Sequence, residues 1–183
     1  MTALLVMDVQ RGIVERFAGD DHGLLDRTAE AMAAARANGI PVIYVRTAFR
    51  SGAPEVSPRN RAFAALRDAG GMDESGGTTA IHPAVAPQQG DVVVTKRRVS
   101  AFAGSDLDVV LRAGGIDALV LCGIATSGVV LSTLREAADK DFELTVLRDA
   151  CGDRDPEVHG VLLDKVFPRQ ADVVDVATWA AGL

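Results

Sequence analysis

Two side chains of opposite charge, Asp8 and Lys96, follow stretches of sequence that are typical of buried strands. Asp8 comes directly after five apolar residues, and a carboxylate in that place is poorly solvated unless a partner compensates its charge. Lys96 follows the predicted strand over Asp91–Thr95, and we expect it to be that partner. An Asp–Lys pair in a partly apolar pocket has coupled proton affinities, which suits acid–base catalysis. A structural ion pair, or a turn after the strand, is the alternative interpretation.

The elements that hold these residues alternate between short β-branched runs and longer stretches of helical spacing. Strands are predicted at residues 4–7, 41–45, 91–95, 118–122, 143–147 and 171–176. Helices are predicted over 22–38, 60–67, 105–114, 126–140 and from 155 onward, with a last turn at 178–181. This alternation predicts an α/β fold with three layers, α-β-α, around a six-stranded, mostly parallel sheet. In such a sheet ligands bind outside the carboxyl ends of the strands, which is where Asp8 and Lys96 lie.

The composition excludes several classes of protein. The chain has 183 residues, 48% of them hydrophobic, which is typical of a single folded domain over 1–183. Its 19 basic and 25 acidic residues give a net charge of −6, which argues against a nucleic-acid partner because such a protein needs a basic face. The start of the chain has neither the basic region of a signal peptide nor an apolar run long enough to span a membrane. Two cysteines, Cys122 and Cys151, are too few for a disulfide scaffold, so we expect a cytoplasmic protein.

Several motifs resemble those of the isochorismatase-like hydrolases, or cysteine hydrolases, which include nicotinamidases and N-carbamoylsarcosine amidases. These motifs are LLVMDVQ, VVVTKRRVSAF, LVLCGIATSGVVLSTLREA and LRDACGDRDPEVH, and the resemblance runs from Ala3 to about Val176. It implies the strand order 3-2-1-4-5-6 and an active site at which Asp8 and Lys96 meet. It also implies a cis peptide bond between Ile124 and Ala125, in a turn that aims backbone N–H groups at a developing oxyanion.

The resemblance further suggests which residues contact a small-molecule substrate. The candidates are Gln10, Phe17, Phe102, Ser127 and Gly128, although core packing explains an isolated phenylalanine equally well. Members of the family commonly form homodimers or higher homo-oligomers, and we expect the same here.

No metal and no cofactor are expected. Family nicotinamidases hold a metal through an Asp-x-His arrangement after the second strand, where this chain has Thr47-Ala48-Phe49. His82, in the turn IHPAVAP, is predicted to lie at the surface, and His159 is predicted to be a residue on a helix face.

One position departs from the family pattern. Family amidases have a nucleophilic cysteine six positions after the glycine of the third motif, and counting from Gly123 places Val129 there. Valine cannot act as a nucleophile. Cys122 falls inside a predicted buried strand, and Cys151 falls after the fifth strand, where packing is the favoured role over a place at the pocket edge.

Three functions remain open. The favoured one is hydrolysis without a covalent intermediate, as in isochorismatases that cleave a vinyl ether, with Asp8 as the general acid. A nearby cation lowers the pKa of an aspartate and favours the base form, which a substrate carboxylate bound to Lys96 or Arg46 could offset. The second is an amide (C–N) hydrolase with a non-standard nucleophile such as Ser127, although a hydroxyl at this position more commonly caps the helix. The third is a catalytically degenerate binding or scaffold protein.

Overall fold

A six-stranded sheet in the order β3-β2-β1-β4-β5-β6 forms the centre of the computed structural model, which describes residues 1–17 and 23–183. The strands are β1 Thr2–Met7, β2 Val42–Thr47, β3 Val92–Lys96, β4 Ala118–Ile124, β5 Glu143–Gly152 and β6 Asp172–Val174. Every neighbouring pair is parallel, so the predicted strand order and direction are confirmed.

The helices lie between these strands along the chain. They are α1 Arg11–Phe17, α2 Gly23–Ala37, α3 Arg61–Ala69, α4 Leu107–Ala113, α5 Leu131–Ala138, α6 Pro156–Val161 and α7 Val176–Ala181. A π-helical turn over Thr126–Val130 leads into α5, and a second one over Leu162–Val166 follows α6. Short 3-10 turns cover Gly77–Thr79, Pro83–Val85 and Phe167–Arg169. The sequence did not predict α1, and the predicted start of α2 at His22 lies outside the described residues.

The core lies on both faces of the sheet, which explains the apolar character of the central strands. Successive side chains of a strand point to opposite faces, so Leu5 of β1 packs in one apolar cluster and Leu4 in another. The first cluster includes Leu107 of α4 and Leu134 of α5, and the second includes Met32 of α2. Helices therefore cover both faces, and the predicted three-layer arrangement is confirmed.

Two strand boundaries differ from prediction for local reasons. The fifth strand was expected to end at residue 147, but β5 continues to Gly152. The pairing of β5 with β4 shifts its register between Leu121 and Gly123 of β4 and then resumes, with Gly123 opposite Cys151. The sixth strand was expected to reach residue 176, but β6 stops at Val174. The N–H of Val176 donates to Asp149 Oδ1 at 2.9 Å, and α7 begins there instead.

The segment between β2 and β3 forms a third, small apolar cluster at the carboxyl ends of these strands. Phe49, Val56, Phe63 and Met72 pack together in it. Arg97, just after β3, fastens the segment through carboxylates on it, since its guanidinium lies 3.4 Å from Glu55 and 2.6 Å from Glu74. In the described part of the chain no helix has the length and apolar content needed to cross a membrane.

Candidate active site

Three polar side chains meet where β1, β2 and β3 end. Lys96 Nζ lies 2.9 Å from Asp8 Oδ2, and Thr47 Oγ1 donates to Asp8 Oδ1 at 3.0 Å. Lys96 also donates to the hydroxyl of Thr47, which closes a triangle of hydrogen bonds. Parallel pairing brings these groups together, because Thr47 is directly opposite Lys96 and β1 lies on the other side of β2. The sequence indicated only that Thr47 follows the second predicted strand, yet this residue connects the two charges.

The aspartate leaves the strand in an unusual backbone conformation. Asp8 has φ 57, in the left-handed region that aspartate tolerates better than most residues. Its N–H still donates to Val45 O at 2.8 Å, so the last hydrogen bond between β1 and β2 is kept while the chain turns.

Burial governs the proton affinity of Asp8. The residue is 6% exposed, and loss of hydration raises its pKa above the usual value for an aspartate. The charge of Lys96 and the hydrogen bonds from Lys96 and Thr47 oppose this rise without cancelling it. The neighbouring cation does lower the pKa of Asp8, as expected, but the loss of hydration is the larger effect and the net shift is upward.

The ammonium of Lys96 has no donor left for a substrate. Its three N–H groups match three acceptors, Asp8, Thr47 and the carbonyl of Arg98 at 3.0 Å. Arg46, the other cation considered for a substrate carboxylate, instead donates from Nε to Thr95 Oγ1 at 3.0 Å.

Gln10 holds Thr47 rather than a ligand. Its amide nitrogen donates to the carbonyls of Thr47 and Thr79, both at 2.9 Å, and its carbonyl accepts from the N–H of Thr47 at 2.8 Å. The side chain is fully buried. The prediction that Gln10 contacts the substrate is therefore corrected. Both hydrogens of its side-chain amide are bound to backbone carbonyls, so Gln10 positions Thr47 instead.

A cavity of about 330 Å³ opens beside the Asp8–Lys96 pair, and we call it the Asp8 cavity. Its lining comprises Asp8, Ile13, Arg16, Phe17, Thr47, Ala62, Phe63, Leu66, Met72, Lys96, Val99, Ile124, Ala125, Gly128 and Val129. Seven of these residues were candidates from sequence: Asp8, Phe17, Lys96, Ile124, Ala125, Gly128 and Val129. The walls are largely apolar, and they come from α1, α3 and the segment before β3 as well as from the strand ends.

Two of these contributions were missed by sequence reasoning. Arg16 lies in α1, which is only seven residues long and was not recognised as a helix. Met72 belongs to the Gly-rich stretch after α3, where periodicity carries little signal, and Phe63 lies in α3, which was predicted as a helix over 60–67 but not as part of a site. The connection between β2 and β3 is unusually long for a compact domain, and such connections are commonly functional, which is the sequence feature that points to a site here.

The turn after β4 forms one wall of this cavity. The Ile124–Ala125 peptide bond is cis, as the resemblance implied. Gly123 precedes it with φ 136, and a Cβ atom there would stand 2.0 Å from the carbonyl oxygen of Met7, so only glycine fits between β1 and β4. Val129 follows in the π-helical turn and is 2% exposed.

Contacts from the region before and within α6 hold this turn in place. Asp153 Oδ2 accepts from the N–H of Ser127 at 2.7 Å, and Thr126 Oγ1 lies 2.8 Å from His159 Nδ1. His159 is thus more than the helix-face residue that was predicted, because its ring reaches the turn. Burial lowers the pKa of this imidazole.

Ser127 and Phe102 lie outside the lining of the Asp8 cavity. Ser127 is exposed, and within the described residues its hydroxyl has no hydrogen-bond partner that could act as a base. The ring of Phe102 packs in the core 6.0 Å from that of Phe142, with Lys140 Nζ 5.3 Å above it. The structure therefore does not place either residue where its predicted substrate contact requires it.

His82 is half-buried, and its ring nitrogen Nδ1 accepts a hydrogen bond from the N–H of Ala84 at 3.3 Å.

Both cysteines lie outside the same lining. Cys122 is fully buried in β4, and burial raises its thiol pKa well above the ordinary value. Cys151, within β5 and not after it, lines a second cavity of about 220 Å³, which we call the Cys151 cavity. Burial raises the pKa of Cys151 to about 12, so its thiolate is scarcely populated at neutral pH. In the described ranges no three His, Cys, Asp or Glu side chains are grouped so that they could hold a metal ion.

Comparison with known proteins extends the likeness over nearly the whole chain. A model of the isochorismatase domain matches residues 2–178. The chain is 36% identical over 179 residues to the isochorismatase family protein YecD of Escherichia coli O157:H7, covering 96% of this chain and 92% of the relative. It is 34% identical over 199 residues to the ureidoacrylate amidohydrolase RutB of Stutzerimonas stutzeri (strain A1501), covering 97% of this chain and 77% of the relative. A solved isochorismatase family protein from Burkholderia thailandensis superposes with a TM-score of 0.86 at 33% identity, covering 100% of this chain and 95% of that one.

Proposed function

This chain belongs to the isochorismatase family of hydrolases, and on that premise we propose that it hydrolyses a small polar or anionic molecule by acid–base catalysis, without a covalent cysteine intermediate. The observation that carries the proposal is the Asp8–Lys96 pair beside a cavity whose described lining includes Val129 and no cysteine. Counting from Gly123, Val129 occupies the position of the nucleophilic cysteine of family amidases, and its side chain has no atom that can attack a carbonyl.

Hydrolysis of a vinyl ether is the reaction that we favour. The Asp8 carboxyl donates its proton to the enol-ether carbon, and water adds to the resulting oxocarbenium ion. The adduct loses the alcohol and leaves a carbonyl compound, while the proton released from the water returns to Asp8. Burial supports this assignment because the raised pKa of Asp8 increases the protonated fraction near neutral pH. Lys96 and Thr47 orient the carboxyl and stabilise the carboxylate that it becomes.

Amide hydrolysis is the second candidate, and the name of the ureidoacrylate amidohydrolase relative favours it. In this reaction the Asp8 carboxylate accepts a proton from the attacking water, and backbone N–H groups of the turn after β4 stabilise the oxyanion. The adduct then collapses with cleavage of the C–N bond, and the Asp8 carboxyl returns the proton to the leaving nitrogen. A serine nucleophile has little support, since Ser127 is exposed and lies outside the cavity lining. A scaffold role has little support either, because the cavity beneath Val129 is open rather than filled by apolar side chains.

The decisive experiment is turnover of vinyl ethers, amides and N-carbamoyl compounds by purified variants. Asp8→Asn is expected to lower kcat about 10²- to 10⁴-fold, the range typical of a general acid or base. The double variant Cys122→Ala/Cys151→Ala is expected to keep turnover within about twofold, since neither thiolate forms at neutral pH.

Matched controls separate catalysis from folding. Asp172→Asn makes the same change at an exposed residue of β6 and should leave turnover unchanged. Because removal of the Asp8 carboxylate leaves a buried ammonium, near-UV circular dichroism must show that Asp8→Asn is folded, and Asp8→Asn/Lys96→Met serves as a second inactive variant without that charge. Turnover by folded Asp8→Asn near the wild-type rate would disprove the mechanism.

Two further properties stay predictions. We propose a cytoplasmic location, which agrees with two free cysteines, and a homodimer or higher homo-oligomer. Size-exclusion chromatography with light scattering measures the second directly.

A further inference from the structure

An anionic substrate needs a cation in the Asp8 cavity, and Lys96 cannot serve. All three of its N–H groups are matched to acceptors of the protein, as described above. The other cation in the described lining is Arg16, in the last turn of α1. The chain as a whole carries a charge of −6, so attraction of an anion must come from a local positive group.

The guanidinium of Arg16 has no polar partner within residues 1–17 and 23–183. Among the described residues it forms no ion pair and no side-chain hydrogen bond, whereas arginines nearby are occupied. Arg97 pairs with Glu55 and Glu74, and Arg98 donates to two backbone carbonyls while lying 5.8 Å above the ring of Phe63. Arg16 therefore presents the five donors of its planar fork to whatever enters the cavity.

The backbone beneath Arg16 is nevertheless held. Arg154 donates to the carbonyl of Arg16 at 3.1 Å, and the guanidinium of Arg154 lies 4.3 Å above the ring of Phe17. The Arg16 side chain also approaches the turn beside Met72, since a Cβ atom built on Gly71 would be 3.9 Å from one of its nitrogens. The end of α1 is thus held in place by Arg154, and the Arg16 guanidinium lies between this helix and the turn beside Met72.

We infer that Arg16 binds a carboxylate of the substrate while the reacting group lies at Asp8. A guanidinium holds a carboxylate through two parallel hydrogen bonds, which gives orientation as well as affinity. The apolar side chains of Phe17, Phe63, Leu66 and Met72 would contact a short hydrocarbon body between the two ends. The volume of about 330 Å³ is at the small end of ligand sites, so the substrate class is a small carboxylic acid.

This inference rests on the proposed function for the position of the reacting group, but its test needs no turnover. The probes are crotonate and its neutral relative crotyl alcohol, with binding measured by ligand-observed NMR at low ionic strength. Wild type is expected to bind crotonate about tenfold more tightly than the alcohol. Arg16→Gln is expected to lose about tenfold in crotonate affinity with no change for the alcohol, and Arg16→Lys to recover part of the loss.

Arg11→Gln is the matched control, because it removes the same charge from the same exposed helix at a residue outside the cavity lining. It should leave crotonate binding unchanged. Equal losses in both variants, or no preference of wild type for crotonate, would overturn the inference. Loss of crotonate binding in Arg16→Gln alongside full turnover by Asp8→Asn would uphold the anion site and reject the proposed mechanism. Unchanged crotonate binding in Arg16→Gln alongside loss of turnover in folded Asp8→Asn would reject the anion site and uphold the proposed mechanism.

Discussion

The Asp8 cavity and the Cys151 cavity share two wall residues, Phe17 and Ile124, yet their chemistry differs. The first contains a buried ion pair with open space beside it. The second contains a thiol whose pKa burial raises to about 12, and an imidazole that already contacts Thr126. In a family that includes cysteine hydrolases, the Asp8–Lys96 pair and the Cys151 thiol of this chain thus lie in different cavities. The difference teaches that the presence of two cysteines does not by itself put a thiol beside the Asp8–Lys96 pair, because the described lining of the Asp8 cavity has Val129 and no cysteine.

The largest expected effect concerns stability. Asp8→Asn should lower the free energy of unfolding by about 3–5 kcal/mol, because it leaves the Lys96 ammonium buried without a counter-charge. Cys151→Ala removes an equally buried side chain from the other cavity and should cost only about 1 kcal/mol. Urea unfolding of both variants gives the comparison. Asp8→Asn/Lys96→Met should recover most of the loss, and equal costs for the two single variants would show that the cavities do not differ as described.

The second prediction concerns a variant that introduces a cysteine into the Asp8 cavity, at the position of the nucleophilic cysteine of family amidases. Val129→Cys places a thiol in the π-helical turn that leads into α5 and in the cavity that holds Lys96, and both features lower a thiol pKa against the rise that burial causes at this position, which is 2% exposed. Its alkylation by iodoacetamide at pH 7 should be about 100-fold faster than that of Cys151. Peptide mass spectrometry reads both sites in the same sample. A Val129→Cys thiol that reacts no faster than Cys151 would mean that the Asp8 cavity does not activate a nucleophile.

The sequence predicts those features of the site that leave a local pattern along the chain. Asp8 and Lys96 were identified because charged residues directly after apolar runs are conspicuous, and parallel strands bring such positions to one edge. The strand order came from the resemblance, since no local pattern specifies which strands are neighbours. Substrate contact was predicted for Gln10, and for Phe102 with core packing as the equal alternative, because a motif identifies a residue but not the direction of its side chain; Gln10 is bound to backbone and Phe102 packs in the core.

The features that the sequence did not predict can be explained one by one. Arg16 escaped notice because α1 is too short to show a clear helical period and contains Gly12. The contact of His159 with Thr126 joins residues 33 positions apart, and it depends on how α6 approaches the turn after β4. Such contacts depend on tertiary packing, which no window of sequence contains.

The most direct test of the central claim is the pH dependence of kcat/KM on a substrate that the screen identifies, for wild type and for Cys122→Ala/Cys151→Ala. Because burial raises the pKa of Asp8, its carboxyl stays protonated to higher pH than an exposed aspartate does. If Asp8 is the general acid, kcat/KM should fall about tenfold per pH unit above that pKa, identically in both proteins. A rate that instead rises with pH through that range, or a profile that changes when the cysteines are removed, would contradict acid catalysis by Asp8.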